Sequence, residues 1–81
     1  MFIVYILFSE STQKYYTGQT QNLDNRLSEH NSGETKSIKY GIPWKLVWYQ
    51  KEETRANAVR LEKKIKMYGA KRFLFNQNAA R

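Results

Sequence analysis

The chain opens on an almost unbroken apolar run, Met1-Phe2-Ile3-Val4-Tyr5-Ile6-Leu7-Phe8. Its β-branched and aromatic residues favour a strand. Being apolar at both odd and even positions, it predicts a central strand covered on both faces. It is far shorter than the roughly 20 apolar residues of a membrane helix. It also lacks the basic start and small-residue cleavage site of an export signal. The expectation is a cytoplasmic protein with no membrane association. Polar residues Ser9 to Gln13 then form a turn, and Lys14 to Thr20 read as a second strand, so residues 2–20 predict a β-hairpin.

Helical spacing follows. Asn22 can cap a helix running to about Asn31, with Asp24 in its first turn and Gly33 at its stop. Residues 32–42 are polar and loop-like, punctuated by Gly33, Gly41 and Pro43. Trp44 to Gln50 is a third strand. Thr54 begins the longest helical pattern, to about Tyr68, with Gly69 as its cap, and a short last helix covers Lys71 to Phe75. No repeat or linker interrupts this order, which predicts one α+β domain over residues 1–81. Strands, helix, strand and helix in that order suggest a small mixed sheet with helices packed on it.

Composition narrows the chemistry. The 81 residues include no cysteine and one histidine, which excludes a disulfide scaffold, a thiol nucleophile and multi-histidine metal sites. Asp24 is the only aspartate, which argues against nucleases built on aspartate clusters around two metals. The formal net charge is +7, unevenly spread. Residues 1–35 hold two cations and four acids, net −2, whereas residues 36–81 hold twelve cations and three acids, net +9. A one-sided excess of this kind points to a polyanion, most often nucleic acid. The plainer reading is solubility.

Some polar residues fall where core residues are expected. On a helical wheel, Leu23 and Leu27 mark the buried stripe of the first helix, and Arg26 and His30 flank it. Such groups are costly there without partners or a task. Alone, His30 reads as a satisfied boundary residue and Arg26 as a snorkelling one; together they point to function. The apolar arc of the long helix comprises Ala58, Val59, Leu61, Ile65 and Tyr68, and Glu62 falls inside it. That carboxylate either pairs with Lys66 four residues on or holds a cation. Tyr5 and Tyr16 share a face only if the hairpin register sets them opposite or two residues apart. Either tyrosine alone reads as a core residue.

Val4-Tyr5-Ile6, then Tyr16-Thr17-Gly18, Arg26, His30 and a helical Glu62, in this order and spacing, resemble the GIY-YIG nuclease family. Gly18-Gln-Thr-Gln-Asn-Leu-Asp-Asn-Arg26, Trp44-Lys45-Leu46-Val47 and Arg60-Leu-Glu62-Lys-Lys-Ile-Lys66 fit as well. The resemblance spans residues 2–76 and is nearest to small standalone members similar to the excinuclease nuclease domain. It implies a three-stranded antiparallel sheet flanked by helices and hydrolysis of phosphodiester bonds with one divalent metal, Mg²⁺ or Mn²⁺. It implies catalytic roles for Tyr5, Tyr16, Arg26 and His30, a metal ligand in Glu62 and a motif role for Gly18. Asn76 matches a polar residue near the domain end, with Asn78 as a second candidate. Ile3, Val4 and Thr17 depart from the motif letters. Gln19 stands where excinuclease members carry a lysine, which makes it an active-site support of changed charge.

The implied chemistry suits these residue types. Mg²⁺ prefers oxygen ligands and retains waters, so one carboxylate with substrate phosphate can anchor it. Arg26 can fork onto the scissile phosphate. The base that takes the water proton is Tyr5, Tyr16 or His30; Tyr5 assisted by the other two is preferred. A tyrosine in that role needs its pKa, about 10 when unperturbed, lowered by Arg26 or the metal. The expected partner is nucleic acid, DNA more than RNA, contacted through Lys36, Lys39, Lys45, Arg60, Lys63, Lys64 and Lys66. A protein partner supplying specificity is a further expectation. The competing expectations are a nucleic-acid-binding module that cleaves poorly or not at all and an adaptor for an acidic protein. The Glu62-Lys63-Lys64 triplet also matches restriction-type nucleases, but no strand aspartate precedes it.

Overall fold

The opening apolar run forms the middle strand of the sheet. The computed structural model describes residues 1–79, in the order β1 (Phe2–Ser9), β2 (Lys14–Thr20), α1 (Leu23–Ser32), a 3-10 segment (Lys36–Gly41), β3 (Trp44–Glu52), α2 (Arg55–Tyr68) and α3 (Ala70–Ala79). Strand order is β2-β1-β3, and both pairings are antiparallel. The sheet is therefore wholly antiparallel, as the family resemblance implies, and not mixed as the element order alone suggests. At Ile6/Leu7 the β1–β3 register shifts, leaving Val47 opposite no residue, a bulge that twists the strand locally.

Both faces of β1 are buried because each carries its own core. Val4 and Ile6 pack with Ala58, Ile65 and Phe73 of α2 and α3. Tyr5 and Leu7 pack with Ile38 and Trp44, and with Leu23 and Leu27 of α1. Two thin cores sharing one strand make β1 the costliest place to truncate; a buried Ile or Leu cut to Ala costs about 2–5 kcal/mol.

The helix termini follow the sequence signals. The Asn22 side chain accepts from the Asn25 N–H at 3.0 Å, and Gly33 ends α1 in the left-handed region at φ 87°. Thr54 caps α2 by accepting from the Asn57 N–H at 3.1 Å. Three elements differ from expectation. Residues 36–41 of the expected loop form the 3-10 segment, too short to show a helical period, pinned where Trp44 Nε1 donates to the Ile38 carbonyl at 2.8 Å. β3 runs two residues past Gln50, and α3 spans residues 70–79 instead of 71–75. Tyr68, expected in the apolar arc of α2, lies exposed on its outer surface.

Candidate active site

The hairpin register places the first residues of the site. Tyr5 pairs directly with Gly18, so Tyr16 lies two residues off and on the same face. The Tyr5 and Tyr16 ring centroids are 6.3 Å apart. Gly18 is the floor of this cluster. A methyl group there would lie 2.7 Å from the Tyr5 hydroxyl oxygen and 2.9 Å from Cζ, so only glycine admits the Tyr5 ring in this position.

α1 covers the same face. His30, fully buried, places Nε2 2.9 Å from the Tyr5 hydroxyl and Nδ1 3.0 Å from Thr35 Oγ1. The tautomer protonated at Nδ1 donates to Thr35 and leaves Nε2 to accept from Tyr5; the other tautomer reverses both bonds. Burial, then the nearby Arg26 charge, hold the His30 pKa below its ordinary value, with Glu29 acting weakly the other way. The ring edge-packs on Tyr16 at 5.3 Å between centroids.

Arg26 sits one turn before His30. It is half-exposed, and its Nη1 donates to Glu29 Oε1 at 3.0 Å. Of the two residues expected on the core side of α1, therefore, only the histidine is buried, and the guanidinium reaches the mouth of the cluster. Its charge is held by Glu29 and then by the Tyr5 hydroxyl, both of which raise its pKa. Tyr5 is only 1% exposed, and burial pushes its hydroxyl up to about 12 although Arg26 pulls it down. Arg26 thus lowers the tyrosine pKa as expected from the sequence, but by less than burial raises it. The reason is that desolvation of the phenolate outweighs the one adjacent cation.

Glu62 arrives from the helix on the opposite face of the sheet. Gln19 follows Gly18 on edge strand β2 and pairs with Val4, whose side chain belongs to the α2 core. From there Gln19 Nε2 donates to Glu62 Oε1 at 2.9 Å. Lys66 Nζ lies 2.7 Å from Glu62 Oε2. Both the family role and the plain i,i+4 pair are compatible with this arrangement. The Glu62 side chain is only 17% exposed. It is near enough to Tyr5 for its charge to add to the rise of the tyrosine pKa. The amide at position 19 thus has a definite contact, orienting the carboxylate where a lysine would neutralise it.

The other expected residues are dispersed. The Asn76 amide donates to the Tyr68 hydroxyl, between α3 and α2, and is hydrogen-bonded neither to the site tyrosines nor to Glu62. The Asn78 side chain lies outside the described residues. Lys45 is paired with Glu10 at the surface, and Lys66 with Glu62. Lys36 and Lys39 lie on the 3-10 segment, whereas Arg60, Lys63 and Lys64 line the outer surface of α2.

Sequence reasoning missed three neighbours. Glu29 was legible as the i+3 partner of Arg26. Thr35 follows the terminating Gly33, where no periodic signal exists. Tyr49 is the β3 partner of Tyr5 and is exposed, so it stands on the open side of the cluster. The bulge that fixes its register cannot be read from composition.

Among the described residues no group of three or more His, Asp or Glu side chains comes together. Any metal here would rest on Glu62, with waters and substrate completing its shell. The donor chemistry fits a hard cation: a half-buried carboxylate with a cation, the Lys66 ammonium, already against one oxygen. No helix among the described residues is long and apolar enough to cross a membrane.

The profile of the GIY-YIG catalytic domain matches residues 1–75. A UPF0213 protein of Haloquadratum walsbyi is 37% identical over 59 residues, which are 72% of this chain and 66% of that protein. The chain thus spans just under two thirds of that relative's length. No solved structure matches it.

Proposed function

The chain belongs to the GIY-YIG catalytic domain family, and from that premise we propose that it is a divalent-metal-dependent endonuclease hydrolysing phosphodiester bonds in DNA, in repair or recombination. The observation that carries the reading is the Tyr5 hydroxyl, seated on Gly18, bonded to His30 at 2.9 Å and facing Arg26.

At a pKa of about 12, roughly one Tyr5 in 10⁵ is phenolate at pH 7. Tyr5 therefore acts as a relay and not as a stored base. The attacking water gives its proton to the Tyr5 oxygen while the Tyr5 proton passes to His30 Nε2. Burial keeps His30 neutral, and in the tautomer that donates Nδ1–H to Thr35 the Nε2 atom is ready to accept. Arg26 binds the phosphate oxygens and neutralises the charge that builds on them. Tyr16 closes the ring of polar aromatics and positions the water. Tyr49 meets the nucleotide beside the scissile phosphate. Glu62, oriented by Gln19, would hold Mg²⁺ or Mn²⁺ in place of its Lys66 partner. The bound ion supplies Lewis-acid stabilisation of the phosphate and the leaving oxygen.

A cleavage screen over duplex, nicked, branched and single-stranded substrates tests the reading. Cleavage should require Mg²⁺ or Mn²⁺, stop with EDTA and fall by at least about 10²-fold in Y5F. A second reading rests on the Lys66–Glu62 pair, which occupies the carboxylate, and on the uncharged Gln19: a module that binds nucleic acid and barely cleaves. Salt-sensitive binding with no metal-dependent cleavage of any substrate would favour it.

A further inference from the structure

On α2, the residues Arg60, Lys63, Lys64, Met67 and Tyr68 fall at i, i+3, i+4, i+7 and i+8 and line an open depression of about 570 Å³. At about 100° per residue this stripe is centred opposite Glu62, on the outer side of the helix. Tyr68 also lines the next depression, about 550 Å³, with Lys71, Arg72 and Phe75 of α3. The apolar groups here are unusually bare: Met67 is 89% exposed, Phe75 70% and Tyr68 46%. The five cations of the surface take part in no ion pair among the described residues. No acidic residue follows Glu62 in the chain. Arg72 lies over the Tyr68 ring at 5.7 Å from its centroid.

Cations alone would suit any polyanion, including the outside of a duplex. Bare rings set among them ask for something more. Aromatic faces in a positive track match unpaired bases on a phosphate backbone, because each base has a face to stack and each linkage a charge to neutralise. A duplex hides its base faces and would leave Tyr68 and Phe75 uncovered. An acidic protein would match the charge but offers no repeated flat partner for two rings. We propose that the outer surface of α2 and α3 is a binding site for single-stranded nucleic acid, separate from the tyrosine cluster and built on Tyr68 and Phe75. The site does not depend on cleavage. It lets the small domain hold an unpaired strand segment while the opposite side of α2 faces the scissile bond.

The test is fluorescence anisotropy of a labelled 20-nucleotide oligo-dT and of a duplex of equal length, with EDTA present so that cleavage cannot intervene. Whatever R26A, altered in the tyrosine cluster, does to oligo-dT binding, the loss caused by Y68A/F75A should be the same in that background as in the native chain, because the two groups lie on separate surfaces. The Y68A/F75A double variant should bind it at least about tenfold more weakly, with duplex binding changed less than threefold. Tyr68→Phe, which keeps the ring, should retain affinity. Both positions are exposed, and an unchanged thermal melt would show that the fold is intact. Three results would overturn the proposal. One is oligo-dT affinity of the double variant within threefold of native. Another is an equal loss for the duplex, meaning charge alone. The last is displacement of oligo-dT by poly-glutamate at equal charge concentration, meaning a surface for acidic protein.

Discussion

The Tyr5 hydroxyl is the most constrained atom of the site, fixed by Gly18 below and His30 at 2.9 Å. Gly18→Ala should therefore displace the ring, cost about 1–3 kcal/mol in a urea melt, and remove cleavage beyond what that loss explains. His30 gives a pH prediction. Its folded pKa is lowered, so folding favours the neutral ring. Below about pH 6.5 the unfolded chain takes up the proton first, and stability falls as the pH drops toward the folded value. Denaturant midpoints at pH 7.5 and 5.5 should therefore differ more for the native chain than for H30Q. Cleavage by the folded chain should fall only further down, as the pH passes the lowered folded pKa of His30, because a protonated His30 cannot accept from Tyr5. The identities of these residues were legible in sequence, since Tyr5, Tyr16, Arg26 and His30 fall in family order. Their protonation was not. The sequence suggested that Arg26 pulls the tyrosine pKa down, whereas only the structure shows that burial of the ring pushes it up by more.

Among the elements, β1 and α1 carry the site, and their relative position rests on a few polar ties. The Asn31 side chain donates to the Trp44 carbonyl at 3.1 Å and accepts from the Trp44 N–H at 2.6 Å, locking the end of α1 to the start of β3. Asn31→Ala should cost about 1–3 kcal/mol by leaving the buried Trp44 backbone without partners. Activity should fall with it, as His30 is the neighbouring residue. Gln19 ties the other half. Gln19→Ala should weaken Mn²⁺ binding about 10–100-fold, read by electron paramagnetic resonance, by releasing the Glu62 carboxylate. Strand and helix existence could be read from apolar period and caps: Asn22, Gly33, Thr54 and Gly69 all stand at observed helix ends. The 3-10 segment and the length of α3 were not legible. One has too few residues for a period, and the other has no recognisable stop. Tyr68 was misplaced because a helical wheel records hydrophobicity and not which side a neighbouring helix covers.

At the scale of the whole molecule, the split of −2 and +9 between the chain's two parts does not become one positive face. Lys36 and Lys39 lie on the 3-10 segment, on the tyrosine side of the sheet, and Arg60, Lys63 and Lys64 lie behind α2. Lys45 and Lys66 are already paired with carboxylates. If six cations meet phosphates, affinity should fall by roughly three orders of magnitude between 50 and 200 mM salt. The sheet brings residues from both parts of the chain to one rim, with Glu62 crossing from the opposite layer through Gln19. The central claim is that this juxtaposition forms one metal-dependent hydrolytic centre. Its most direct test is the nicking rate of supercoiled plasmid in Mg²⁺ for the native chain and for Glu62→Ala, both shown to be folded. The account predicts metal-dependent nicking by the native chain and its loss, by at least about 10²-fold, in the variant. Nicking that continues in Glu62→Ala at the native rate would contradict it.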